Sequence, residues 1–238
     1  MAIDTHIEWT DSTWNPWRGC RKISAGCKNC YMFRDQKRFG QDPEKIIRAK
    51  DTTFKAPLKW NTARMVFTCS WSDFFIEEAD LWRDEAWDII KNTPHLTYQI
   101  LTKRPENIMD RLPLDWGYGW HNVWLGVTVE DQRSVDVRIP LLMQNNSKIK
   151  FLSCEPLLEN LEIFKWLKAY PIDWVIVGGE SGPGARVMKS EWVRSLKEQC
   201  AQSSTSFFFK QWGGFNKKKA GRLLDGHEYS ELPQLACI

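Results

Sequence analysis

The chain predicts an α/β fold, a parallel (β/α) TIM-like barrel, partial or closed, of six to seven strands, and three observations predict it. Six short apolar runs recur from residue 65 onward, segments with helical apolar spacing separate them, and each run closes on a cluster of polar residues. Strands covered on both faces read as continuous apolar runs, and their alternation with helices implies parallel neighbours joined by crossovers. The 238 residues suffice for one such unit, because α/β barrels run to roughly 200–250 residues as a single domain. Residues 1–238 are therefore read as one domain, with a flat doubly wound sheet as the alternative architecture.

In chain order, a short first strand is expected near 6–10 ("HIEWT"), followed by a cysteine-bearing loop over 14–31. The apolar runs then cover 65–73, 96–104, 122–131, 148–156, 173–181 and 205–213. Between them, 78–93 has helical spacing with Leu81, Ala86, Trp87 and Ile90 able to share a face, and 190–202 repeats the pattern. The loop 115–122 and the tail 214–238, with its basic run "NKKKAGR", are expected to be mobile.

Lys and Arg number 33 against 30 Asp and Glu, a net charge of +3 that supplies no global field for a dedicated duplex-DNA binder. A local basic groove remains compatible with that balance. Nothing reads as a charged-then-apolar leader, and the apolar runs are too short to span a bilayer, so a cytoplasmic protein off the membrane is expected. Four histidines, His6, His95, His121 and His227, adjoin no nucleophile motif, which argues against a triad hydrolase.

In parallel α/β folds the ligand lies beyond the carboxyl ends of the strands. The residues closing the runs are therefore the candidates: Ser70, Ser72 and Asp73, then Lys103 and Arg104, Thr128 and Glu130, Glu155, Glu180, and Lys210 with Trp212. Cys69 and Cys154 also stand at strand ends, where either could donate a hydrogen atom or act as a ligand.

Three more cysteines, Cys20, Cys27 and Cys30, fall within eleven residues. Cys-x2-Cys is a compact chelate, and a cluster in a reducing compartment points to metal rather than disulfides. Three thiolates suit a 4Fe-4S cluster with one iron left open, while a remote fourth ligand such as Cys69, Cys154 or His6 would close a structural zinc site. Cys200 reads as helix packing and Cys237 as a tail residue. Trp9, Trp14 and Trp17 flank the loop and could shield a cluster from solvent.

The three-cysteine loop ahead of a (β/α) barrel resembles the radical S-adenosylmethionine superfamily, although the first gap here is six residues where the usual spacing has three. "CSWSDFFIEEAD" (69–80), "LTKRPENIMDRL" (101–112), "VWLGVTVED" (123–131) and "RIPLLMQ" (138–144) resemble the branch that includes spore photoproduct lyase. More closely, "IEWTDSTWNPWRGC", "GCKNCY", "LTKRPENI", "LGVTVED", "FLSCEPLL", "VIVGGESGPGAR" and "FFFKQWG" resemble the phage and prophage three-cysteine-motif proteins, a family of unknown function. The radical resemblance implies a 4Fe-4S cluster on Cys20, Cys27 and Cys30, with S-adenosylmethionine as cofactor. Ser70, Ser72 and Asp73 would then lie near its amino or ribose groups, Lys103 near its carboxylate, and Thr128 and Glu130 near ribose. Catalytic thiols would be Cys69 or Cys154, and substrate contacts Arg104, Glu155, Glu180, Lys210 and Trp212.

Aromatic residues Trp71, Phe74, Trp120 and Trp212, among Lys103, Arg104, Arg133, Arg186 and Lys210, suit a nucleic acid substrate with an unstacked base. The alternative reading is a zinc-stabilised nucleic-acid-binding or accessory protein that serves a partner protein without radical chemistry.

Overall fold

The computed structural model describes residues 3–233. Seven strands form one sheet: β1 (Ser12–Trp14), β2 (Arg64–Thr68), β3 (Leu96–Thr102), β4 (Val123–Thr128), β5 (Ile149–Cys154), β6 (Trp174–Gly178) and β7 (Ser206–Gln211). Every neighbouring pair is parallel, and the spatial order is the chain order. Right-handed crossovers between strands taken in unbroken order keep the connecting segments on one face. The doubly wound alternative is overturned, because its strand order reverses at a switch point and this order never does.

Each of the six apolar runs coincides with one of β2–β7, although β2 begins one residue before its run. The first strand lies later than the expected 6–10. A turn in which the Thr10 amide donates to the Ile7 carbonyl carries Trp9 inward, and pairing with β2 begins at Ser12. The principal helices are α1 (Tyr31–Arg38), α2 (Asp80–Lys91), α3 (Gln132–Leu142), α4 (Phe164–Ala169) and α5 (Ser190–Ser203). In α2 the buried face is Arg83, Ala86, Trp87, Ile89 and Ile90, whereas Leu81 is 90% exposed and stands outside the expected stripe. None of the helices among the described residues is long and apolar enough to cross a membrane.

A single side chain reports the curvature of the sheet. The Trp9 ring lies 4.6 Å from Phe67, beside β2's inner end, and 6.1 Å from Trp174 of β6. Strands four places apart in a flat sheet are separated by roughly 19 Å, so one indole can touch both only where the sheet curls around it. Among the described residues β1 and β7 do not pair. The barrel is a half-barrel.

Strand alternation divides the core in two. The outer face packs against the helices in the larger cluster, and the inner face is an aromatic plug of Trp9, Phe67, Trp124, Phe151, Trp174 and Phe208. Gly126 makes room in that plug, since a Cβ there would lie 2.5 Å from Phe151 Cε2. Gly126→Val is expected to destabilise the fold by about 1–3 kcal/mol through overpacking, measured as a lower urea midpoint at unchanged slope.

The segment read as a mobile tail is laid, through Pro233, along the free edge of β7. The Phe209 amide donates to Tyr229 O, Trp174 Nε1 donates to Glu231 O, and Leu224 is fully buried. Such a cover satisfies the unpaired edge of a terminal strand. The remainder of that tail, including Cys237, lies outside the described residues. In the loop 115–122, Trp116 and Trp120 pack on Trp87 at 5.8 and 5.7 Å.

Candidate functional site

Beyond the carboxyl ends of the strands opens a cavity of about 640 Å³. Ile7, Trp9, Phe67 and Leu101 line its apolar floor, and Cys20, Cys27 and Cys30 all line its wall. Twelve of the side chains expected at the site reach this one cavity: those three thiols with Cys69, Ser70, Ser72, Asp73, Lys103, Arg104, Thr128, Glu155 and Lys210.

The turn after β2 sets much of this geometry. Cys69 takes the left-handed conformation at φ 62°, which a side chain other than glycine adopts at a cost of about 1–3 kcal/mol. The chain thereby doubles back, and residues 70–73 arch over the strand ends. Ser72 Oγ donates to the Gly19 carbonyl at 2.6 Å, and Ser70 Oγ exchanges hydrogen bonds with the Asn15 side chain. Both hydroxyls thus anchor the segment leading into the cysteine loop.

Asp73 is engaged within the protein. It accepts from Thr102 Oγ1 at 2.7 Å, the Lys103 amide at 3.0 Å and the Phe75 amide at 3.0 Å, and it pairs with Arg104 at 3.5 Å. Arg104 also reaches the Arg21 carbonyl at 3.1 Å and Cys20 Sγ at 3.8 Å, so one buried ion pair ties β2, β3 and the cysteine loop together. Burial pushes the Cys20 thiol up to about 12; the Asp73 charge adds to this, and Arg104 opposes it. Burial also works against ionising Cys27, but the Lys103 charge and hydrogen bonds at Ser24 outweigh it and hold that thiol below its ordinary value.

Lys103 donates to Thr128 Oγ1 at 3.2 Å and makes no ion pair among the described residues. On the opposite wall Glu155 and Lys210 pair at 3.0 Å. Glu155 lies directly over Gly178, where a Cβ would collide with the carboxylate.

Four expected residues do not line the cavity. Cys154 ends β5 on the outer face, because alternation that sends Ser153 inward sends Cys154 into the helix-facing core. Trp212 packs edge-on against Phe209 and donates from Nε1 to the Leu223 carbonyl. The Glu180 carboxylate is held by Arg186 and Asn29. Glu130 is fully buried, with Oε2 accepting from Arg138 at 2.6 Å while Oε1 has no hydrogen-bond partner. Burial resists its ionisation, but Lys103 and Arg138 prevail and keep its carboxyl below the usual range.

The aromatic set read for base stacking does not assemble as a surface. Phe74 is fully buried, Trp120 joins Trp87 and Trp116, and of the four only Trp71 lines the cavity. Of the tryptophans around the cysteine loop, Trp9 lines the cavity, whereas Trp14 and Trp17 belong to the outer core. Cys200 packs on the buried side of α5, as its position in the helix implies.

Tyr31, the aromatic residue that follows the third cysteine of the motif, donates from its hydroxyl to the Ser70 carbonyl at 2.6 Å, whereas sequence reasoning missed Arg34 and Phe215, which also line the cavity. Ser153, which closes its apolar run, also lines the cavity, as does Thr13, which inward alternation from the end of β1 could have found.

The donor set fits a metal–sulfur centre in its chemistry, since soft thiolates select iron–sulfur clusters or zinc. Among the described residues, no group of three or more His, Cys, Asp or Glu is prearranged to hold a metal ion. A family model described as a protein of unknown function (DUF5131) matches residues 4–233. Neither a curated protein nor a solved structure matches the chain.

Proposed function

Because the chain belongs to the DUF5131 family, a family of unknown function, its activity has to be read from the cavity, and we propose that it is an iron–sulfur enzyme of the radical S-adenosylmethionine type. The observation that carries this reading is the opening of three thiols from one loop onto an apolar-floored cavity at the strand carboxyl ends. Cys20, Cys27 and Cys30 would hold the cluster, and three ligands leave one iron open for a small molecule.

When bound, the cluster and S-adenosylmethionine supply reductive cleavage of a carbon–sulfur bond. The chain's own residues bind, shield and donate a hydrogen atom. Lys103 offers its ammonium to a carboxylate, with Thr128 steadying its position. The floor of Ile7, Trp9, Phe67 and Leu101 excludes water from the reacting volume. Burial and then Asp73 raise the Cys69 thiol well above its ordinary value, so it keeps its hydrogen and can serve as a hydrogen-atom donor. Glu155 and Lys210 face the substrate from the far wall. A cavity of about 640 Å³ admits a small molecule or, from a nucleic acid, one unstacked nucleotide beside Trp71.

Anaerobic reconstitution with iron and sulfide tests the reading, with about four irons per chain expected for a cubane. Stoichiometric zinc with no iron under the same conditions would replace it with a structural zinc protein. Lys103→Met keeps the aliphatic stem and removes the charge, so iron content should persist. Its affinity for S-adenosylmethionine should fall by about ten- to a hundredfold in calorimetric titration, the loss of a charge-assisted hydrogen bond. Equal affinity in both proteins would remove Lys103 from the site.

A further inference from the structure

We infer that the glycine-rich segment after β6, residues 179–186, is a clasp that holds the cysteine loop in register, with Glu180 and Asn29 as its positioning residues. The importance of that register rests on the metal-binding reading above, whereas the clasp is argued from contacts alone.

Asn29 lies between Cys27 and Cys30, so fixing its side chain constrains the Cys-x2-Cys turn from within. Its Nδ2 donates to Glu180 Oε2 and to the Gly184 carbonyl, both at 2.9 Å. The Glu180 side chain is 5% exposed, and its oxygens also accept from the Arg186 amide at 3.0 Å, Arg186 Nε at 2.9 Å and Arg186 Nη2 at 2.5 Å. Four N–H donors occupy this carboxylate. It is committed to the protein instead of a substrate, which reassigns the role that its position after a strand suggested.

The glycines of "GGESGPGAR" serve the same close approach. Gly182 stands at φ +100°, and a Cβ there would collide with Arg34 Nη1, the atom that donates to the Ser181 carbonyl at 3.4 Å. Gly179 comes so near the Trp212 carbonyl that a side chain could not fit. Behind the clasp, the Gly214 amide donates to the Glu180 carbonyl at 2.7 Å, and the Gly182 amide to the Gly214 carbonyl at 3.0 Å. The motif therefore joins three chain segments: the cysteine loop with α1, the turn after β6 and the turn after β7.

The test is performed on metal-free, reduced protein, so its outcome is independent of whether the loop takes iron or zinc. Thiol labelling by a maleimide, followed by peptide mass spectrometry, gives separate rates for Cys27, Cys30 and Cys200. In Asn29→Ala and Glu180→Ala, Cys27 and Cys30 should label about two- to tenfold faster, the factor expected for losing a hydrogen bond of ordinary net strength. Glu180→Gln keeps an acceptor for Asn29 and should fall between Glu180→Ala and wild type. Cys200, buried on α5 away from the clasp, should label at the wild-type rate. Unchanged loop rates in folded Asn29→Ala would overturn the inference, and so would an equal rise at Cys200, which would mean general loosening. Should Glu180→Ala not fold, Asn29→Ala alone decides between these outcomes.

Discussion

Single replacement of Cys20, Cys27 or Cys30 by Ala is expected to reduce bound iron to background after anaerobic reconstitution, while Cys200→Ala retains the wild-type content. With only three thiolates lining the cavity from this loop, losing one leaves two, too few to hold a cubane against solvent and chelators. The control thiol lies in the helix-facing core, so equal loss there would mean that the ligands are wrongly chosen. The same centre predicts a pH dependence of definite sign. Metal must displace the proton from a Cys20 thiol whose value lies at about 12, so affinity should rise with pH over the working range. Each thiol proton displaced contributes about tenfold per pH unit. Competition against a chelator whose own protonation is known would read the slope.

The largest stability loss is expected at Asp73→Ala. The side chains of Asp73 and Arg104 are each 6% exposed, and removing the acid leaves the buried guanidinium with only the longer contact to the half-exposed Glu77 at 3.9 Å as an ion pair. Breaking a buried pair in this way costs about 3–5 kcal/mol, more than the pair itself contributes. The Thr102 hydroxyl and the Lys103 and Phe75 amides lose their acceptor in the same step. Equilibrium denaturation in urea measures the loss, and unchanged stability would mean that Arg104 finds other partners. A proximal effect should accompany it. The Cys20 thiol should titrate lower, because one of the charges that raises it is gone.

Strands β2–β7 were legible because each is largely buried on both faces and reads as a predominantly apolar run. The strand-end residues followed from parallel topology, and most of them meet at the cavity. What a run does not reveal is its parity. Ser153 and Cys154 are adjacent at the end of β5, and only the register against β4 and β6 decides which faces the cavity. Glu180 posed a different difficulty, for its partner Asn29 lies 151 positions earlier and neither residue carries a local signal for the other. For Trp120 and Trp212 the place in the sequence suggests the rim, whereas contacts with Trp87 and Phe209 determine where their rings lie.

Trp9 imposes an order on synthesis. Its indole leaves the ribosome 165 positions ahead of one of the walls it packs against, Trp174. Contacts of such separation form only after most of the intervening chain has been made, and closing them is slow. Until β6 emerges, a nascent chain carries this tryptophan without its full set of neighbours, and the floor of the cavity is incomplete. Truncated chains ending before residue 174 should therefore bind a holdase chaperone through this segment, and release should coincide with translation of β6.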